Sequence, residues 1–378
     1  MLPRTGKPAQ RWLAHLLRAC EGSIRPGDPF DDLDPFEPRA VLRAAERARV
    51  APLLHRALEA GRIADPLPSS FRSACERIYY ASLRKNLIAL ETSASLFEEL
   101  AAAGIPAAPL KGWAFVTGSD PLYPDCGTRP MDDLDLIVDP AHREPAFALL
   151  ESRGFRPVND SAARVAGGHE VAFHRRVSGA DLFVELHWAW AGKESLMREF
   201  AVSGADFLGS LCEESDDGTR RQTELGAILF TSLHATRHTL ERWIWLVDLH
   251  RLLTRREPDW EGLLREAARW RVRRPLYAAF AATRELLRTP IPKEVLSELA
   301  PGPVRKRLLH RSLARTAQEP RHQRRAWTVK LLLGESWWDV ARTAAWAASP
   351  GEAWFSEPGR RPDAHPLHAW RSRPGGDA

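Results

Sequence analysis

Apolar side chains recur at three- and four-residue intervals over residues 9–22, 38–61 and 69–103, a spacing that lines one face of a helix. Gly104 supplies a C-terminal stop for the third of these segments. The intervening stretch RPGDPFDDLDPFEP is rich in turn formers, and its acids read as a solvated loop with helix caps. From residue 105 the pattern shortens. IPAAPL runs into Lys111-Gly112 and then WAFVTG, a strand followed by a short helix, and LDLIV (134–138) is a compact apolar run of β-formers. Pro140 opens a helix over 141–153 that Gly154 closes. FRPVN, HEVAFHR and DLFVELHW follow as strands, the last two joined by Ser178-Gly179 as a hairpin turn. Helical periodicity returns over 223–238, 240–255, 259–271, 274–288, 293–318 and 326–348.

These elements predict an α+β fold: a small mixed β-sheet core flanked by N-terminal and C-terminal helical regions. The expected division is a helical region over 1–104, an α/β core over 105–222 and a helical domain over 223–349. Residues 350–378, rich in Pro, Gly and Arg with few core formers, are expected to be a disordered tail. No internal repeat is present.

Composition narrows the class without naming it. The 378 residues are 44% hydrophobic and 27% charged, as in an ordinary globular protein. No apolar run is long enough for a bilayer, and the N-terminus lacks the uninterrupted apolar stretch of a signal peptide, so a cytoplasmic protein without a membrane partner is expected. The four cysteines are scattered and form no CxxC pair, which fits reduced thiols better than a disulfide or zinc framework. A net charge of +5 permits an anionic partner without specifying nucleic acid.

The chemistry concentrates between Lys111 and Trp188. On a strand, Asp133 and Asp135 share one face while Leu134 turns to the other. Glu185 interrupts a strand pattern otherwise built from Phe183, Val184, Leu186 and Trp188, and such an acid needs a partner. Paired carboxylates at a strand edge suit a hard cation such as magnesium, with manganese as the alternative, and such cations bring phosphates with them. Two cations roughly 3.5–4 Å apart clamp the attacking and leaving oxygens of a phosphoryl displacement. Lys111, Gly112 and Arg129 are candidates for steadying a triphosphate. Asp132 reads as a cap or a solvated acid, and Asp139 before Pro140 as an N-cap.

The ordered motifs LKG, R-x-M-x-D-L-D-L-I-V and V-E-L-H-W resemble the DNA polymerase β-like nucleotidyltransferase superfamily, and more narrowly the bacterial group labelled uncharacterised nucleotidyltransferase. HATRHTLERWIWLVDLHRLL is similar to that group's H-x3-H-x3-R-x2-W-x2-D stretch. The resemblance implies a nucleotidyltransferase that uses a nucleoside triphosphate, with Asp133, Asp135 and Glu185 as metal-binding and catalytic carboxylates. Gly112 takes the place of the superfamily's glycine near the phosphates. Many members carry a Gly-Ser pair there, and this chain has Lys111-Gly112-Trp113 instead, so a serine contact to phosphate is missing.

His234, His238, Arg242, Trp245 and Asp248 fall in one sector of a helix, or of two nearly continuous ones. Such a ridge can bind triphosphate or position an acceptor; it can equally be a polar seam in which His and Asp satisfy each other. Zinc is a third reading, without a third ligand in view. His187 reads as a packed or hydrogen-bonded strand histidine rather than a base. The arginines of 302–325 read as an exposed helix face, with a nucleic-acid acceptor as the alternative. A phosphotransferase on the same fold and a non-catalytic binding module remain alternatives to nucleotidyl transfer. The acceptor, whether small molecule, protein or RNA, is not legible in these residues.

Overall fold

The computed structural model describes residues 7–24, 34–63, 67–158, 168–191, 200, 202–214, 219–318 and 323–348. The expected tail and the acidic part of the early loop (25–33) lie outside them.

Four helices come first: α1 (Pro8–Cys20), α2 (Pro38–Ala48), α3 (Ala51–Glu59) and the long α4 (Ser69–Ala102). The single periodic stretch 38–61 is two helices because Arg49 takes a left-handed conformation (φ 64°). The Val50 amide then reaches back to the Ala45 carbonyl, a helix-ending bond that turns the chain. The sheet follows, with β1 (Ala107–Pro109), α5 (Lys111–Val116), β2 (Leu134–Val138), α6 (Arg143–Ser152), β3 (Arg156–Pro157), β4 (Glu170–Val177) and β5 (Ala180–His187). The strand order is β1-β2-β5-β4-β3; β2 and β5 run parallel and every other neighbour is antiparallel. A mixed sheet between helices is therefore the observed fold.

One turn fixes what the sheet can display. Ser178 and Gly179 both have positive φ (49° and 74°), the geometry of a tight two-residue hairpin turn. From Val177 opposite Ala180, pairing runs outward until Glu170 lies opposite His187. The alternation of β5 puts Leu182, Val184 and Leu186 in the core and Glu185 and His187 on the opposite face.

Beyond the sheet lie α7 (Gly204–Ser210), a small ribbon of β6 (Cys212–Glu214) and β7 (Arg220–Gln222), and then α8 (Glu224–Arg237), α9 (Ile244–Arg255), α10 (Trp260–Arg269), α11 (Arg273–Leu287), α12 (Lys293–Leu299), α13 (Pro303–Gln318), α14 (Gln323–Leu332) and α15 (Trp337–Ala348). The periodic stretch 293–318 divides at Pro301-Gly302-Pro303, where prolines end one helix and open the next. Buried apolar side chains from Trp12 to Leu333 form one continuous cluster. The N-terminal helices touch the later ones directly: Arg18 donates to the Leu286 and Glu285 carbonyls, and Arg251 forms a two-pronged pair with Glu21. No helix among the described residues is long and apolar enough to cross a membrane.

Candidate functional site

Parallel pairing sets Asp135 of β2 directly beside Glu185 of β5, and His187 follows Glu185 on the same face. The Lys111 ammonium sits between the acids, 2.5 Å from Asp135 Oδ1 and 3.5 Å from Glu185 Oε2. His187 Nε2 lies 3.0 Å from Asp135 Oδ1 and its Nδ1 3.0 Å from Glu170 Oε2, so the buried imidazole bridges two carboxylates. Glu170 is held in turn by His169 (3.2 Å) and by Arg237 of α8 (3.3 Å). Lys111 is presented by a strained backbone (φ 52°) just where the Leu110 amide hydrogen-bonds to the Asp135 carbonyl.

Proton affinities follow from this crowding. Burial, and then Asp135, pushes Glu185 up to about 8 against the pull of Lys111. Burial and Asp135 raise Asp133 as well. Burial alone would raise Asp135, but Lys111 and His187 outweigh it and hold that carboxyl well below the usual range. Burial would lower both cations, yet the surrounding acids keep Lys111 above its ordinary value and hold His187 up at about 9. The inner acid is thus ionised and the outer one protonated at neutral pH, an asymmetric pair of the kind found where function places two carboxylates together.

Asp135, Glu185 and His187 offer one ligand atom each within 4.8 Å of one another. The sequence grouped Asp133 with Asp135 and Glu185. The structure puts Asp133 just ahead of β2, lining the same cleft, and brings His187 into the tight cluster instead. Two carboxylates and an imidazole, with a third carboxylate on the same cleft, fit a divalent cation.

Of the remaining sequence-selected residues, Gly112, Arg129, Asp132, His234, His238, Arg242 and Trp245 line this cleft too, while Asp139 and Asp248 do not. Arg129 is 4% exposed; its Nε and Nη2 hold both oxygens of the fully buried Asp248 at 2.8 and 2.7 Å, while Tyr123 donates to Asp248 at 2.6 Å. Gly112 keeps an ordinary φ. A Cβ there would come within 3.0 Å of Met131 and 3.1 Å of the Arg129 guanidinium, so the glycine makes room for that buried pair. His234 and His238 form a wall with Trp245, their ring centroids 4.7 and 5.3 Å from the indole. Burial, with Lys111 and Arg237 nearby, holds both imidazoles neutral, His238 down at about 3 and His234 far below its usual value. The helical sector expected for 234–248 is broken, because Thr239 and Leu240 take positive φ and Asp248 turns to Arg129 instead of to the histidines. Asp132 is an ion-pair partner, joined to Arg49 and, at 3.1 Å, to Arg242. Asp139 accepts from the Ala141 amide at 2.7 Å, as an N-cap does.

Arg49, Glu170 and Arg237 carried no motif, yet all three line the cleft. Glu170 was reachable from the sequence, because the hairpin turn alone dictates its place opposite His187. The long α4 holds the loop before β2: Asn86 donates to the Cys126 and Arg129 carbonyls and Lys85 to that of Asp132.

Residues 34–288 match the model of a family described as uncharacterised nucleotidyltransferase. No curated protein and no solved structure matches the chain. With the match spanning most of its length, the chain belongs to the uncharacterised nucleotidyltransferase family.

Proposed function

We propose that the protein is a metal-dependent nucleotidyltransferase that moves a nucleoside monophosphate from a nucleoside triphosphate to a hydroxyl or phosphate acceptor. The observation that carries this reading is the in-register pair Asp135 and Glu185, with His187 and Asp133 beside it, in a cleft that also holds Lys111. Asp133, Asp135 and Glu185 would hold magnesium or manganese, with His187 close enough to join them. When bound there, the cation draws negative charge off the phosphate oxygens and lowers the proton affinity of an acceptor hydroxyl.

Charge balance supports the requirement for a cation. With Glu185 ionised, the five basic side chains that line the cleft, Arg49, Lys111, Arg129, Arg237 and Arg242, are matched in number by Asp132, Asp133, Asp135, Glu170 and Glu185. A triphosphate adds several negative charges to a lining with no surplus of positive ones.

In the transfer, a new bond forms between the acceptor oxygen and the α-phosphorus as the bond to the β-phosphate oxygen breaks. The acceptor loses its proton and pyrophosphate leaves. Lys111, whose ammonium lies between Asp135 and Glu185, would turn toward the phosphate oxygens on its flexible stem were those acids to hold a cation. Arg129 contributes a fixed positive charge behind Gly112, since Asp248 occupies its fork. His234 and His238 present neutral rings to the substrate, suited to a planar or uncharged group rather than to phosphate. Glu170, itself held by Arg237, fixes the orientation of His187 through its Nδ1.

The test is transfer of label from nucleoside triphosphates carrying ³²P at the α- or the γ-position, with magnesium and a host lysate as the source of acceptor. α-Label in a macromolecule or small product supports nucleotidyl transfer. γ-Label in the product would instead make the protein a phosphotransferase, and no magnesium-dependent nucleotide binding would make it a non-catalytic module.

A further inference from the structure

Two arginines far apart in the sequence, Arg49 and Arg242, converge on one carboxylate at the cleft. Arg49, at the end of α2, binds Asp132 Oδ1 through Nη2, and Arg242, in the turn before α9, binds Asp132 Oδ2 through Nη1 at 3.1 Å. Each carboxylate oxygen therefore faces its own guanidinium, the arrangement that arginine pairs also offer to phosphate.

Four features separate this cluster from a structural seam. Asp132 keeps 44% of its side-chain surface exposed, whereas the Arg129–Asp248 pair of the same cleft keeps 5% and 0%. Arg49 sits at φ 64°, a position where glycine is the relaxed choice, so the chain tolerates backbone strain to keep an arginine side chain there. The cations crowd one another: burial first, then Arg242 and Arg129, hold Arg49 below its ordinary proton affinity. Arg242 is braced over the Trp245 ring at 5.4 Å, which keeps its fork in place.

We propose that the Arg49–Arg242 fork binds the terminal phosphates of the triphosphate and the departing pyrophosphate, and that Asp132 fills it as a stand-in until they arrive. This rests on the nucleotidyltransferase reading and deepens it, adding Arg49 to the substrate-binding residues and making Asp132 an internal competitor. Displacement of Asp132 ties substrate arrival to Asp133 in the same loop and to Asp135 at the start of β2, one and three residues further on.

The test is calorimetric titration of the full chain, in magnesium, with inorganic pyrophosphate, with each of the four common nucleoside triphosphates and with the matching monophosphates. Arg49→Gly should melt no lower than the wild type, because glycine relaxes the left-handed position. It should bind pyrophosphate and triphosphate about tenfold or more weakly, with monophosphate affinity unchanged. Asp132→Asn should tighten pyrophosphate binding about three- to tenfold. Wild-type pyrophosphate affinity in both variants, or equal loss of mono- and triphosphate in Arg49→Gly, overturns the fork alone. A wild-type chain that binds neither pyrophosphate nor any nucleotide overturns the fork and the nucleotidyl-transfer reading together.

Discussion

Glu185 turns the electrostatics of the cleft into a measurable stability. Its carboxyl, ordinarily near 4.5, is pushed to about 8 by burial and by Asp135. The folded protein therefore holds a proton there that the unfolded chain releases above pH 4.5, so the folded state is favoured at low pH and loses that advantage as pH rises to 8. Each pH unit in this window removes up to about 1.4 kcal/mol, a ceiling of about 5 kcal/mol. The side chain is 27% exposed, and solvent screening brings the figure to roughly 2–3 kcal/mol. Glu185→Gln keeps the shape and removes the titration. In EDTA, melting temperatures measured from pH 5 to 9 should be alike for variant and wild type at pH 5. By pH 8.5 the variant should lead by roughly 3–4 °C. Using the difference between the two proteins removes most of the contribution of His187, whose own raised value also makes stability fall through pH 9 in both. Magnesium should narrow the gap by stabilising only the wild type. Parallel melting curves across the whole range, or a wild type that gains on the variant as pH rises without metal, would refute the crowding argument.

Three further outcomes follow from the same geometry. Lys111→Met removes the ammonium between Asp135 and Glu185, so magnesium should bind more tightly without nucleotide while turnover falls by about 10² or more, read by calorimetry and by product formation. Asp248→Ala strands the buried Arg129 guanidinium and should cost about 3–5 kcal/mol in urea unfolding; a loss below 1 kcal/mol would show that the guanidinium finds water. In nitrogen-detected NMR, His234 and His238 should show no protonation between pH 5 and 8 and His187 should stay protonated to about 9, whereas an ordinary titration near 6.5 in the first two would contradict the neutral wall.

The sequence carried the sheet because its signals are local. A two-residue turn with glycine in second place sets the β4–β5 register, and alternation along β5 then decides that Glu185 faces away from the core. Asp135 was legible for the same reason, as an acid in a five-residue apolar strand. What escaped depends on contacts across the chain. Arg49 looks like any arginine in a helical stretch, and only the fold brings it to Asp132, 83 positions away. Asp248 fell in register with the histidines on an ideal helix, but the break at Thr239 and Leu240 turns it toward Arg129 and Tyr123. Gly112 was read as a phosphate-approach glycine, whereas its missing Cβ makes room for Arg129 and Met131, a packing reason that spacing cannot reveal. His187 was placed correctly as a hydrogen-bonded strand residue, although its partners follow only from parallel pairing with β2.

The central claim is that Asp133, Asp135 and Glu185 direct attack at the α-phosphorus. The most direct measurement compares transfer from α- and γ-labelled nucleoside triphosphate by the wild type and by the Asp133→Asn/Asp135→Asn double variant, each shown to be folded by its melting curve. Expected are α-label in the acceptor, γ-label only in pyrophosphate, and no transfer by the variant. Undiminished transfer by the folded variant, or γ-label in the acceptor, would contradict it.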